Sequence, residues 1–166
     1  MTAQSAEAAL WFLPGATLVS AYVAWSDLAR MRIPNVAVLA LLAVFAITGL
    51  FALPLEDYAW RWVQGLVMLL VGMVLNAAGR LVGAGDAKFI AAAAPYFAMR
   101  DMTLMTMILT ASILASVLVH RIARATRLRE LAPHWESWHQ GRRFPMGVPL
   151  AATLVGYLLA CVLTGP

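Results

Sequence analysis

This chain reads as an all-α, polytopic membrane protein with about six transmembrane helices. Composition is the first reason. Of its 166 residues 63% are hydrophobic and 12% charged, where a soluble domain carries roughly 25% charged residues. Several apolar runs near 18 residues are the second reason, since a bilayer core needs roughly 17–25 helical residues. The third is where the charges fall: they gather between the runs rather than within them. A water-soluble core could not be covered by so little polar surface.

The runs are expected in order at about 8–25, 36–53, 62–78, 88–99, 102–120 and 147–163, within one membrane domain over 1–166. The N-terminal M-T-A-Q-S-A-E-A-A-L has no positive region, so the first run is expected to stay as a span rather than leave as a signal. Pro34 opens the second, where a proline removes no helical hydrogen bond. Tyr58, Trp60 and Trp62 precede or open the third, as interfacial aromatics do. The fourth is short and contains Pro95, so by length alone it could be re-entrant. Beyond the fifth, R-I-A-R-A-T-R-L-R-E-L suits a helix continuing into the headgroups, within a loop over 121–146.

Charge resolves the fourth segment. With six crossings the first, third and fifth loops share one side and hold ten basic residues, against Arg61 and Arg100 opposite. That is a strong positive-inside bias. It predicts both termini outside and the arginine-rich loops in the cytoplasm. The formal net charge of +4 is thereby a topological signal and no sign of nucleic-acid binding. The lone Cys161 excludes an internal disulfide and any CxxC zinc site.

Two of the eight acids stand out. Asp27, in W-S-D-L-A-R-M-R-I-P-N, and Asp86, in V-G-A-G-D-A-K-F, end or begin spans on the same predicted face. A carboxylate costs about 2.5–3.5 kcal/mol at the centre of a membrane helix and less near its end, so such groups face polar cavities or each other. Two apposed carboxyls share a proton. The ionised member can then activate water, and the protonated member can donate to a peptide carbonyl. Gly83 and Gly85 would let a substrate backbone approach Asp86 and tolerate unusual backbone angles. Lys88 would balance charge or face headgroups. Each acid alone also has a structural reading: Asp86 as the N-cap of the fourth helix, Asp27 as the partner of Arg30 on one helix surface.

These segments resemble the bacterial type IV prepilin peptidases, GxGD membrane aspartyl proteases. D-L-A-R-M-R-I-P-N, from Asp27 through Pro34 to Asn35, resembles the first catalytic segment of that family. G-A-G-D-A-K, from Gly83 to Lys88, resembles the second. F-P-M-G-V-P-L-A, with Pro145 and Gly147, resembles a third element opening the last span. The likeness covers roughly residues 10–163. It implies Asp27 and Asp86 as catalytic residues, with Gly83, Gly85, Lys88, Pro34, Asn35, Pro145 and Gly147 in support, and no metal or cofactor. It further implies removal of a leader from a prepilin or pseudopilin, at the cytoplasmic face of a bacterial inner membrane. Larger members carry an insert with paired CxxC motifs and methylate the mature pilin. This chain lacks that insert and is similar to the short CpaA/TadV-type peptidases of tight-adherence (Flp) pili, so methylation is not expected.

The remaining features read as structural. His134 and His139 are five apart, a poor spacing for a metal pair on one helix face, and suit an interfacial segment with the intervening tryptophans. Asn76 and Gln64 are expected to hydrogen-bond between helices, and the nine methionines to pack. A proton-coupled carrier or channel using the same two acids is the competing function. Against it, both acids lie at one face and none at the midplane.

Overall fold

Proline and glycine punctuate the apolar runs, and the helices begin and end at them. The computed structural model describes residues 2–79, 82–140 and 143–166. It contains α1 (Ala6–Arg30), α2 (Asn35–Ala52), α3 (Leu55–Ala77), α4 (Ala84–Ala93), α5 (Met102–Ala125) and α6 (Gly147–Thr164). Short 3-10 turns follow α4 and α5, and no strand occurs among the described residues. Arg80 and Arg142, counted in the basic bias, lie outside the described residues.

Among the described residues, five helical segments are long and apolar enough to cross a membrane; α4, with ten residues, is not. Its helix stops because Pro95 has no N–H to continue the ladder, and the chain passes into a 3-10 turn over Ala94–Tyr96. The segment nevertheless runs the length of the bundle. Asp86 lines a cavity with Asp27, near the end of α1, whereas Asp101 accepts hydrogen bonds from the Ala3 and Gln4 amides ahead of α1's start. So the fourth segment does not turn back; its α-helix breaks at Pro95 and it finishes its course in irregular backbone.

Irregular backbone inside a membrane protein needs protein partners, and these are present. Gln64 donates through Nε2 to the carbonyls of Ala94 (2.7 Å) and Phe97 (3.2 Å). Arg61 donates to the Pro95 carbonyl, and the Ala98 amide donates to the Tyr157 hydroxyl. Gln64 thus forms the interhelical bond expected of it. The α3 helix approaches closely through Gly65 and Gly72, its two buried residues. A Cβ on Gly72 would lie 2.8 Å from that of Ala87 on α4.

At the centre α1 packs on α6 and α2, and α4 is buried among α2, α3 and α6. Phe45 joins the elements: its ring meets Phe12 at 5.6 Å, Tyr96 at 5.4 Å and Trp62 at 5.4 Å. Tyr58 also stacks on Phe45 and donates its hydroxyl to the Ala46 carbonyl. Of the three expected belt aromatics only Trp60 is exposed; Tyr58 and Trp62 pack against the core because α3 begins about two turns earlier than its apolar run suggested. Cys161 is buried in the same core. By contrast α5 buries no residue and packs chiefly on α6.

Candidate active site

The segment after α1 is short and tightly turned. Met31 takes the left-handed conformation (φ 49°) and its amide closes on the Asp27 carbonyl. Ser26 donates to the Arg32 carbonyl at 3.0 Å. Pro34 then caps α2 in extended conformation. This leaves Asp27 on the last turn of α1, its side chain directed at the start of α6. There the Gly147 amide donates to Asp27 Oδ2 at 2.6 Å. Asp27 does not serve as the partner of Arg30, whose guanidinium lies over the Trp25 ring, 5.1 Å from its centroid.

Gly147 is required at that position by space. A Cβ there would lie 2.9 Å from Asp27 Oδ2 and 3.0 Å from Asp27 Cβ. Pro145 is buried two residues before, with its carbonyl accepting from the Val148 amide. The F-P-M-G segment therefore delivers one backbone donor to one carboxylate.

Asp86 sits in the first turn of α4, whose N-cap is Gly83. It is not the cap itself. Among the described residues no group donates a hydrogen bond to its carboxylate. Gly83 has φ −61°, open to any residue, so its need is again space: a Cβ would lie 2.6 Å from Asp86 Oδ2. At Gly85 a Cβ would meet only Ile33, at an ordinary 3.4 Å. The expectation of unusual backbone angles at these glycines is not met. Asn76 donates to the Val82 carbonyl at 2.8 Å and so anchors the approach to Gly83.

Both acids line one open cavity of about 930 Å³. Its wall includes Pro34, Asn35, Gly83, Gly85 and Lys88. Lys88 donates to Asn35 Oδ1 at 3.2 Å, which ties the I-P-N segment to G-x-G-D-x-K. Two arginines, Arg32 and Arg143, also face the cavity, though in sequence they signalled only topology. Asp86 lies before the fourth apolar run, outside the five spanning helices. Burial, and then the nearby Asp27 carboxylate, push its carboxyl up to about 6. A pair in that state can hold one proton near neutral pH.

Asp101 was not singled out by sequence. It is buried, and accepts from the Ala3 and Gln4 amides and from the Tyr157 hydroxyl at 2.8 Å. It lies at the opposite end of the bundle from the cavity and holds the N-terminal segment to α5 and α6. Only the brevity of the fourth run hinted at it.

The model of the type IV leader peptidase family matches residues 15–120. No curated protein and no solved structure is a significant match. The matched stretch contains Asp27 through Asn35 and Gly83 through Lys88, the two segments that meet across the cavity, while the Gly147 segment lies beyond it. With its apolar helices, this chain is an integral membrane protein, and it belongs to the type IV leader peptidase family.

Proposed function

We propose that this protein is an aspartic endopeptidase that removes the leader of a type IV prepilin, Flp-type pilin or pseudopilin precursor at the cytoplasmic face of the inner membrane. The observation that carries the reading is that Asp27 and Asp86, from segments far apart in sequence, line one open cavity. The pair begins with one shared proton, held by Asp86. Asp27 is oriented by the Gly147 amide and takes a proton from a water. The hydroxide adds to the scissile carbonyl carbon as Asp86 donates its proton to the carbonyl oxygen. The tetrahedral intermediate then collapses: Asp86 takes back a proton from one of its hydroxyls as the carbonyl re-forms, the C–N bond breaks, and the proton taken by Asp27 passes to the leaving amine. Arg32, Arg143 and Lys88 edge the cavity and stabilise negative charge there.

The test is cleavage in cells. The chain is co-expressed with the pilin precursor of its own genome, and leader loss is followed by gel shift and mass spectrometry of the new N-terminus. Wild type is expected to cut; Asp27→Asn and Asp86→Asn are expected to insert and not cut. Cleavage by both variants would end the two-aspartate mechanism. Proton-driven flux without any peptide product would instead favour a carrier.

A further inference from the structure

A second cavity, of about 960 Å³, opens between α3 and α5 over α4 and touches α6 at Leu150 and Thr153. It forms because α3 packs on α4 and α5 on α6, leaving the space between α3 and α5 unfilled. Along α3 it extends from Asp57 to Met68, about 16 Å at 1.5 Å per residue, or some three helical turns. Its lining is mostly apolar, and three features separate it from an ordinary lipid-facing surface.

The first is its position. The initial turn of α4 lines the aspartate cavity, and the following turns, from Phe89 on, line the groove. On α6 the same succession occurs: Gly147 holds Asp27, and Leu150 one turn later enters the groove. A polar cavity and an apolar groove are thus set end to end along the same two helices. The second is the floor, which contains Ala93, Ala94 and Ala98; small residues let another helix backbone come close. The third is the walls. Four of the nine methionines, Met68, Met99, Met102 and Met105, line this one groove. Methionine is flexible and polarisable, and adapts to apolar partners of varied shape.

We infer that the α3–α5 groove seats an apolar helix of the substrate, continuous with the peptide held between Asp27 and Asp86. The inference rests on the peptidase reading for the identity of that helix. A chain with a polar segment followed by an apolar helix would lay the first in the aspartate cavity and the second in the groove. The scissile bond would then be placed by the depth at which the helix docks.

The experiment is site-specific photo-crosslinking in membranes. A benzophenone amino acid replaces Met68 or Met105 in the groove, and Leu39 or Leu118 on exposed faces of α2 and α5 as controls. Each is made in an Asp86→Asn background and co-expressed with the pilin precursor; unsubstituted enzyme is assayed for cleavage alongside. The groove positions are expected to capture the precursor at least fivefold more than the controls. Equal capture at all four positions overturns the inference. So does a product containing a second copy of this chain, or lipid alone. If the precursor is cut but not captured in the groove, the docking site is wrong and the peptidase stands. If it is captured there but never cut by unsubstituted enzyme, the docking site stands and the peptidase reading fails. Neither capture nor cleavage overturns both.

Discussion

Replacing Gly147 by alanine perturbs Asp27 without touching any ionisable group. The new Cβ would lie 2.9 Å from Asp27 Oδ2, 3.0 Å from its Cβ and 3.1 Å from its Cγ. Non-bonded heavy atoms rest at roughly 3.5 Å, so the start of α6 and the carboxylate must part by about 0.5 Å. The 2.6 Å hydrogen bond from the Gly147 amide then stretches to about 3.1 Å, near the end of the useful range. A misplacement of 1 Å can cost on the order of a hundredfold in rate, so half of it costs about tenfold. Weakening a charge-assisted bond adds up to about another tenfold. The expected fall in kcat/KM is therefore about 10- to 100-fold, measured on purified enzyme with the pilin precursor. Gly156→Ala is the control on the same helix. Its Cβ meets only the end of the Ile108 side chain, at 3.3 Å, and the rate should stay within about threefold. Gly147→Ala that inserts and cuts at the wild-type rate would refute the idea that this amide positions the Asp27 carboxylate for cleavage.

The two glycines before Asp86 should separate in the same assay. Gly83→Ala pushes on Asp86 Oδ2 from 2.6 Å and should cost about tenfold or more, whereas Gly85→Ala faces an ordinary 3.4 Å contact and should cost far less; the reverse order would contradict the steric reading. The raised Asp86 carboxyl sets a pH dependence. The folded protein holds that proton more tightly than the unfolded chain does, so the stabilisation is complete below the ordinary 3.8 and is lost as pH rises through about 6. Wild-type Tm in detergent should therefore drop from pH 4 to pH 8 more than that of Asp86→Asn, and kcat/KM should decline on the alkaline side of about 6; parallel Tm profiles would count against it. At the far end of the bundle, Asp101→Ala strands the donors of Ala3, Gln4 and Tyr157. It should cost on the order of 3 kcal/mol in thermal or denaturant unfolding, while the folded fraction cuts at the normal rate. Lost activity per folded molecule would show that Asp101 serves the site directly.

Hydrophobic length and charge position made the helices legible in the sequence. The runs at 36–53 and 147–163 lie within a residue of α2 and α6, because a bilayer-length apolar stretch has one backbone solution. Less legible were α1 and α3, whose polar end turns extend past their apolar runs; the backbone continues helical wherever side chains can reach water. The α4 helix was shorter still than its run, because Pro95 ends it and Gln64 and Arg61 supply the partners that make the break tolerable.

The sequence by itself singled out Asp27 and Asp86, since an acid at the end of an apolar run carries a solvation cost that asks for a reason. It also set Gly83 and Gly85 beside Asp86, for backbone freedom and room for a substrate backbone; the structure instead gives Gly83 a close approach to the Asp86 carboxylate and Gly85 an ordinary contact with Ile33, while Gly147, placed by resemblance alone, closely approaches Asp27. The tertiary structure alone decided how the segments meet. The Gly147 amide on Asp27, Lys88 on Asn35 and the amides of Ala3 and Gln4 on Asp101 all join residues far apart along the chain. Such contacts leave no local periodicity to read. They follow from which helix faces pack, and in a chain this apolar nearly every face could pack; close approach at small residues and the satisfaction of a few buried polar groups select among them.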